Sequence, residues 1–129
     1  MTTALICIAL LGILVFGLGF AVSMVRGQTN RIIGHSDDPA DRLHKMVRAH
    51  GNTTEYGPFL AVLMLVLGSR SPATWVLWCM GIATAARYSI AAGMLLSPSL
   101  AKPHPLRFIG AVGTYLTGIA LCIAVFMSL

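Results

Sequence analysis

Arg48, Asn52 and Glu55 follow one another at intervals of four and three residues, the spacing that sets side chains on one face of an α-helix. Asp41 and Lys45 extend that face in one direction and Phe59 in the other, while the rest of the segment is apolar. A carboxylate or guanidinium inside a membrane helix costs between about 2.5 and more than 10 kcal/mol, so such groups face a bundle interior, a partner or a water-filled cavity. Glu55 therefore requires a partner, and Arg87 is the candidate. Counted from the turn between their segments, Glu55 lies about 13 residues back and Arg87 about 15 forward, near 20 and 22 Å at ~1.5 Å per residue. The matched depth predicts an Arg87–Glu55 contact, within one subunit or across a subunit interface. One such pair would suffice to clamp two helices. Arg48, His50, Asn52 and Tyr56 at the same level add several donors, which suggests a recessed anionic or zwitterionic ligand.

The elements that must hold these residues are transmembrane helices. Crossing a hydrocarbon core of about 30 Å takes roughly 20 helical residues, and the sequence offers four such stretches, at about 4–25, 39–67, 72–96 and 105–127. Asp38 is the expected N-cap of the second, with Pro39 in its first turn. Gly68 to Pro72 reads as a tight turn, and the segment from Ser97 to Pro105 as a break. With no strand pattern, repeat or second domain, the chain reads as a single all-α integral membrane domain over residues 1–129, a four-transmembrane-helix bundle. The first apolar run has no basic residue before it and is roughly 22 residues long, which identifies a retained helix and not a cleaved signal peptide.

Composition agrees: 57% of the 129 residues are hydrophobic and 10% charged, far from the usage of soluble domains. The nine Lys and Arg against four Asp and Glu form no continuous basic face, which excludes a nucleic-acid binder. Arg26, Arg31, Arg42, Lys45, Arg48, Lys102 and Arg107 fall in or beside the first and third connections, and Arg70 alone lies at the other end. The positive-inside rule makes the first set cytoplasmic, with both termini outside, or in the periplasm if the membrane is a bacterial inner one.

The segment from Arg48 to Pro58, of the form RxxxNxxEYxP, resembles the second-helix signature of the MAPEG family, the membrane-associated proteins in eicosanoid and glutathione metabolism. Its wording, RAHGNTTEY, is especially similar to bacterial members. The resemblance covers nearly the whole chain. It implies a homotrimer that binds glutathione near the cytoplasmic side, in a cleft between subunits, with Arg48, His50, Asn52, Glu55 and Tyr56 as contacts of the tripeptide and Arg87 as the helix 3 arginine. Arg107 resembles the arginine that lies by the thiol in characterised members, where a cation raises the thiolate fraction. Those members usually carry a Tyr or His about one turn after the helix 3 arginine and another Tyr a turn later. Ile90 and Met94 stand there in this sequence. Tyr115 lies deep in helix 4 and Tyr88 points away from Arg87, so neither is read as a substitute.

The remaining candidates have plainer readings. His35, His44 and His104 lack ligand spacing and read as solvated loop residues, so no metal site is expected. Cys7, Cys79 and Cys122 read as packing residues, Trp75 and Trp78 as interfacial anchors, and Gly12, Gly17, Gly19, Gly110, Gly113 and Gly118 as points of close helix approach. Three functions are compatible with these residues. The first is a glutathione-dependent transferase or peroxidase acting on lipophilic electrophiles or lipid hydroperoxides. The second is a non-catalytic binding or scaffold protein of the same fold. The third is a small proton-coupled multidrug transporter, although such exporters place their carboxylate in the first helix.

Overall fold

The structure, a computed structural model, describes residues 1–129. Four helices account for it, α1 (Thr2–Thr29), α2 (Arg42–Gly68), α3 (Thr74–Leu96) and α4 (Pro105–Met127), with no strand. α1, α3 and α4 are each long and apolar enough to cross a membrane, and the protein is an integral membrane protein. α2 matches them in length, but the polar and charged residues along it lower its hydropathy.

Capping sets the helix ends. α1 runs past its apolar stretch to Thr29 and closes on Asn30, whose left-handed backbone (φ 53°, ψ 33°) lets its N–H reach the Arg26 carbonyl. The N-cap of α2 is Asp41 and not Asp38: the Asp41 carboxylate accepts from the His44 N–H at 2.8 Å, and Asp38 instead accepts from Ala40 N–H at 2.9 Å in the turn before. The helix cannot begin at Pro39, because the Pro39 carbonyl is committed to the Leu100 N–H at 2.9 Å. α4 opens on Pro105 at its first position, where the missing N–H has no partner to lose.

α1 packs on α2 and α3 on α4; α2 and α3 join the two pairs, and α1 and α4 do not meet. The core is a ladder of apolar contacts. Ala4, Cys7, Leu11, Leu60, Met64, Met80, Ala83 and Leu121 fill one end, Leu14, Leu18, Ala49, Ile90 and Met94 the middle, and Val22, Val25 and Leu43 the other end. The connections after α1 and α3 meet at one end through the Pro39–Leu100 bond and through Lys45, whose ammonium donates to the Ser97 carbonyl at 3.0 Å. Arg70 lies at the opposite end and donates to the Ser128 carbonyl at 2.6 Å.

Close approach between α3 and α4 depends on glycine. A Cβ at Gly110 would stand 2.6 Å from Ile90 Cγ1 and 2.7 Å from the Ala86 carbonyl oxygen; one at Gly93 would stand 2.8 Å from both Cγ and N of Arg107. Of the glycines singled out in α1, only Gly19 approaches another helix, facing the His50 ring at 3.2 Å, and nothing lies within 4 Å of Gly12 or Gly17. Gly110→Ala is expected to push α4 off α3 and cost about 1–3 kcal/mol, the usual range for overpacking against backbone. Thermal unfolding in detergent checks it. An unchanged midpoint would mean that the two helices slide apart freely.

Candidate functional site

Three helical stripes converge on one cavity of about 310 Å³. α2 contributes Asn52 and Tyr56, α3 contributes Arg87, Ile90 and Met94, and α4 contributes Arg107, Phe108, Ala111 and Tyr115, with Pro103 and His104 closing the end near the α3–α4 connection. The intervals are three or four residues on α2 and α3, and four between Arg107, Ala111 and Tyr115, so each helix presents one face. Two guanidinium groups line this space and no carboxylate does.

Arg87 is the centre of the arrangement. Only 1% of it is exposed. Its Nη2 donates to the Asn52 carbonyl at 2.8 Å and to Asn52 Oδ1 at 2.5 Å, and the guanidinium carbon lies 4.9 Å from the centroid of the Tyr56 ring, a cation–π distance. Its Nε is buried without any partner. Within the chain, Glu55 does not neutralise it. The one ion pair in the chain joins Arg31 to Asp41 at 3.6 Å, and the carboxylate of Glu55, an exposed residue, makes no ion pair or hydrogen bond within the chain. Equal depth along two helices does not fix azimuth: at about 100° per residue, Tyr56 lies about 40° to one side of Asn52 and Glu55 about 60° to the other. Arg87 docks on the Tyr56 side.

Arg107 is fixed by the chain end it stands on. Its Nη1 donates to the carbonyls of Leu100 and Lys102, both at 3.1 Å, and its stem packs where Gly93 has no side chain. The other guanidinium nitrogens have no partner in the chain and belong to a side chain that lines the cavity. His104, read from sequence as solvated, lines the same cavity, and its Nδ1 is buried and unpartnered. Its extended backbone (φ −137°, ψ 132°) is the conformation imposed on a residue that precedes proline.

A second space, of about 420 Å³, adjoins the first between α2 and α4. It is lined mainly by apolar residues, Phe59, Leu60, Leu63, Ile119 and Cys122 among them, and shares Tyr56 and Tyr115 with the first. Glu55 lies on this groove. Arg48 is exposed and lines neither space; His50 turns to α1, against Gly19. The chain thus brings Asn52, Tyr56, Arg87 and Arg107 together, sets Glu55 beside them, and leaves Arg48 and His50 on other faces. Tyr88 donates to the Leu10 carbonyl of α1 at 2.9 Å, away from the site. Tyr115 belongs to the site after all. Its interval of eight from Arg107 was the available signal, since an elongated cavity accepts residues at different depths on one face.

The sequence pattern that defines the MAPEG family matches residues 4–127, almost the full length of the chain. No curated protein and no solved structure matches it.

Proposed function

Because the chain belongs to the MAPEG family, we propose that it is a membrane-bound glutathione-dependent transferase or peroxidase acting on lipophilic electrophiles or lipid hydroperoxides. One observation carries the reading: a cavity lined by Arg87 and Arg107 contains no carboxylate, and the Arg87 Nε is buried without an acceptor. A buried cation without a counter-ion is costly, and an anionic ligand supplies what the chain lacks. Glutathione fits the donor set, having two carboxylates for guanidinium groups, amides for Asn52 and an ammonium for Glu55 at the edge. Arg107 would stabilise the thiolate, which is the nucleophile in such chemistry. The adjoining apolar groove opens toward lipid and would bring an acceptor that concentrates there, so that proximity supplies part of the rate.

Arg48 and Glu55 remain on an exposed face of α2, which hydrocarbon would penalise. A homotrimer of single-domain subunits would resolve this, with Arg48 completing a neighbour's site. The charged connections support a cytoplasmic position for this end, with the termini outside, in the periplasm if the membrane is a bacterial inner one.

Calorimetry on the detergent-purified protein, followed by ultraviolet difference absorbance of the bound thiol, tests the reading. Glutathione binding with thiolate formation is the expected result, and absence of binding would overturn it. Binding without thiolate would favour the non-catalytic alternative, which the apolar lining by Ile90 and Met94 supports.

A further inference from the structure

The hydroxyls of Tyr56 and Tyr115 lie 3.5 Å apart, with the rings tilted at 56° and their centroids 6.0 Å apart. Both residues line the cationic cavity and the apolar groove, so the pair stands at the passage between them. An oxygen atom about 2.7 Å from each hydroxyl, an ordinary O–H···O distance, fits between two groups so spaced and receives a hydrogen bond from both. Thr114, 2% exposed on the groove side, carries a third hydroxyl that is buried and has no partner. Hydroxyls on an otherwise apolar space, one of them without a partner, point to an occupant that is lipophilic and bears an acceptor oxygen.

We propose that Tyr56 and Tyr115 form an oxyanion-stabilising pair that selects lipophilic α,β-unsaturated carbonyl compounds as acceptors. The assignment rests on the thiol site proposed above and adds the identity of the second substrate. In the addition, a bond forms between the thiolate sulfur and the β-carbon, and the carbon–carbon π pair shifts to leave negative charge on the carbonyl oxygen. Tyr56 and Tyr115 donate to that oxygen as its charge grows, and Arg87, stacked on the Tyr56 ring, adds a positive field. The step closes when the α-carbon takes a proton from water. No oxidant or reductant is consumed. Two hydroxyls on separate helices give a donor pair that is stronger toward the enolate oxygen than toward the ground-state carbonyl, as rate enhancement requires.

Tyr115→Phe, which removes one oxygen from a residue 53% exposed and preserves the ring, tests the pair in the full protein reconstituted in lipid nanodiscs. Two readouts are needed. In the first, the infrared stretch of a carbonyl-labelled, unreactive lipophilic ketone is expected at lower frequency in the natural protein than in Tyr115→Phe. In the second, glutathione addition to a lipophilic enone is expected to fall at least tenfold more than displacement of chloride from a lipophilic benzyl chloride, which has no oxygen to receive the pair's hydrogen bonds. A ketone stretch that is the same in both proteins, or equal losses for the two acceptors, would overturn the pair. Absence of thiolate in the natural protein with the ketone shift intact would overturn the thiol chemistry alone and leave the carbonyl-binding pair standing.

Discussion

Arg87→Met is expected to weaken binding of glutathione by about 100-fold or more, while the ligand-free protein unfolds at the same temperature as before or higher. Truncating one partner of a buried charged hydrogen-bond pair costs about 2–5 kcal/mol in binding, and Arg87 is the most deeply buried cation lining the cavity. Stability responds in the opposite direction because the guanidinium has no carboxylate partner in the chain. Its desolvation is offset only by two bonds to Asn52 and by the Tyr56 ring. Replacing even a buried ion pair with apolar side chains of similar size is often neutral or stabilising by about 1–4 kcal/mol, and a buried cation with no carboxylate partner has less Coulombic attraction to lose. Calorimetry and thermal unfolding in one detergent read both quantities. If binding and stability fell together, Arg87 would be a clamp between α2 and α3, and the anion site would lose its main support.

The two faces of α2 show how far sequence reaches. The number and nature of the helices were legible because apolar runs of membrane length have few alternative meanings, and the polar stripe was legible because charge is rare in such runs. Azimuth was less so. Arg48, Asn52 and Glu55 share a face by spacing, yet that face is broad enough for Asn52 to enter the cavity while Arg48 stays outside and Glu55 lines the next groove. Which flank meets Arg87 depends on how α3 rotates against α2, and this is decided by packing partners distant in sequence. Gly93 illustrates the same point. It is one small residue among several in α3, and its function, admitting the Arg107 stem, has no local signature. His104 was hidden for another reason. Loop composition implies exposure, whereas the flanking prolines hold its backbone extended at the cavity wall.

Arg107→Ala is expected to abolish the ultraviolet thiolate signal of bound glutathione near neutral pH and to lower turnover about 100-fold. A cation beside a thiol lowers its pKa, commonly by about 1–3 units for a close opposite charge, from about 8.5 for a free thiol. With Arg107 present the bound thiol stays ionised well below that value; without it the pH midpoint of the thiolate signal moves up, and the ionised fraction at pH 7 falls about tenfold per unit. Arg107→Lys separates charge from geometry. An ammonium keeps the charge but lacks the planar fork that bonds the Leu100 and Lys102 carbonyls, so the midpoint should lie between those of the natural protein and Arg107→Ala. Gly93→Ala supplies the converse, since the added methyl meets the Arg107 backbone and stem at 2.8 Å. It keeps the guanidinium and displaces it, and an upward shift of the midpoint is expected there as well. If the midpoint were the same in all four proteins, the thiolate would be stabilised elsewhere in the cavity, and Arg107 would be left as a brace for the α3–α4 connection.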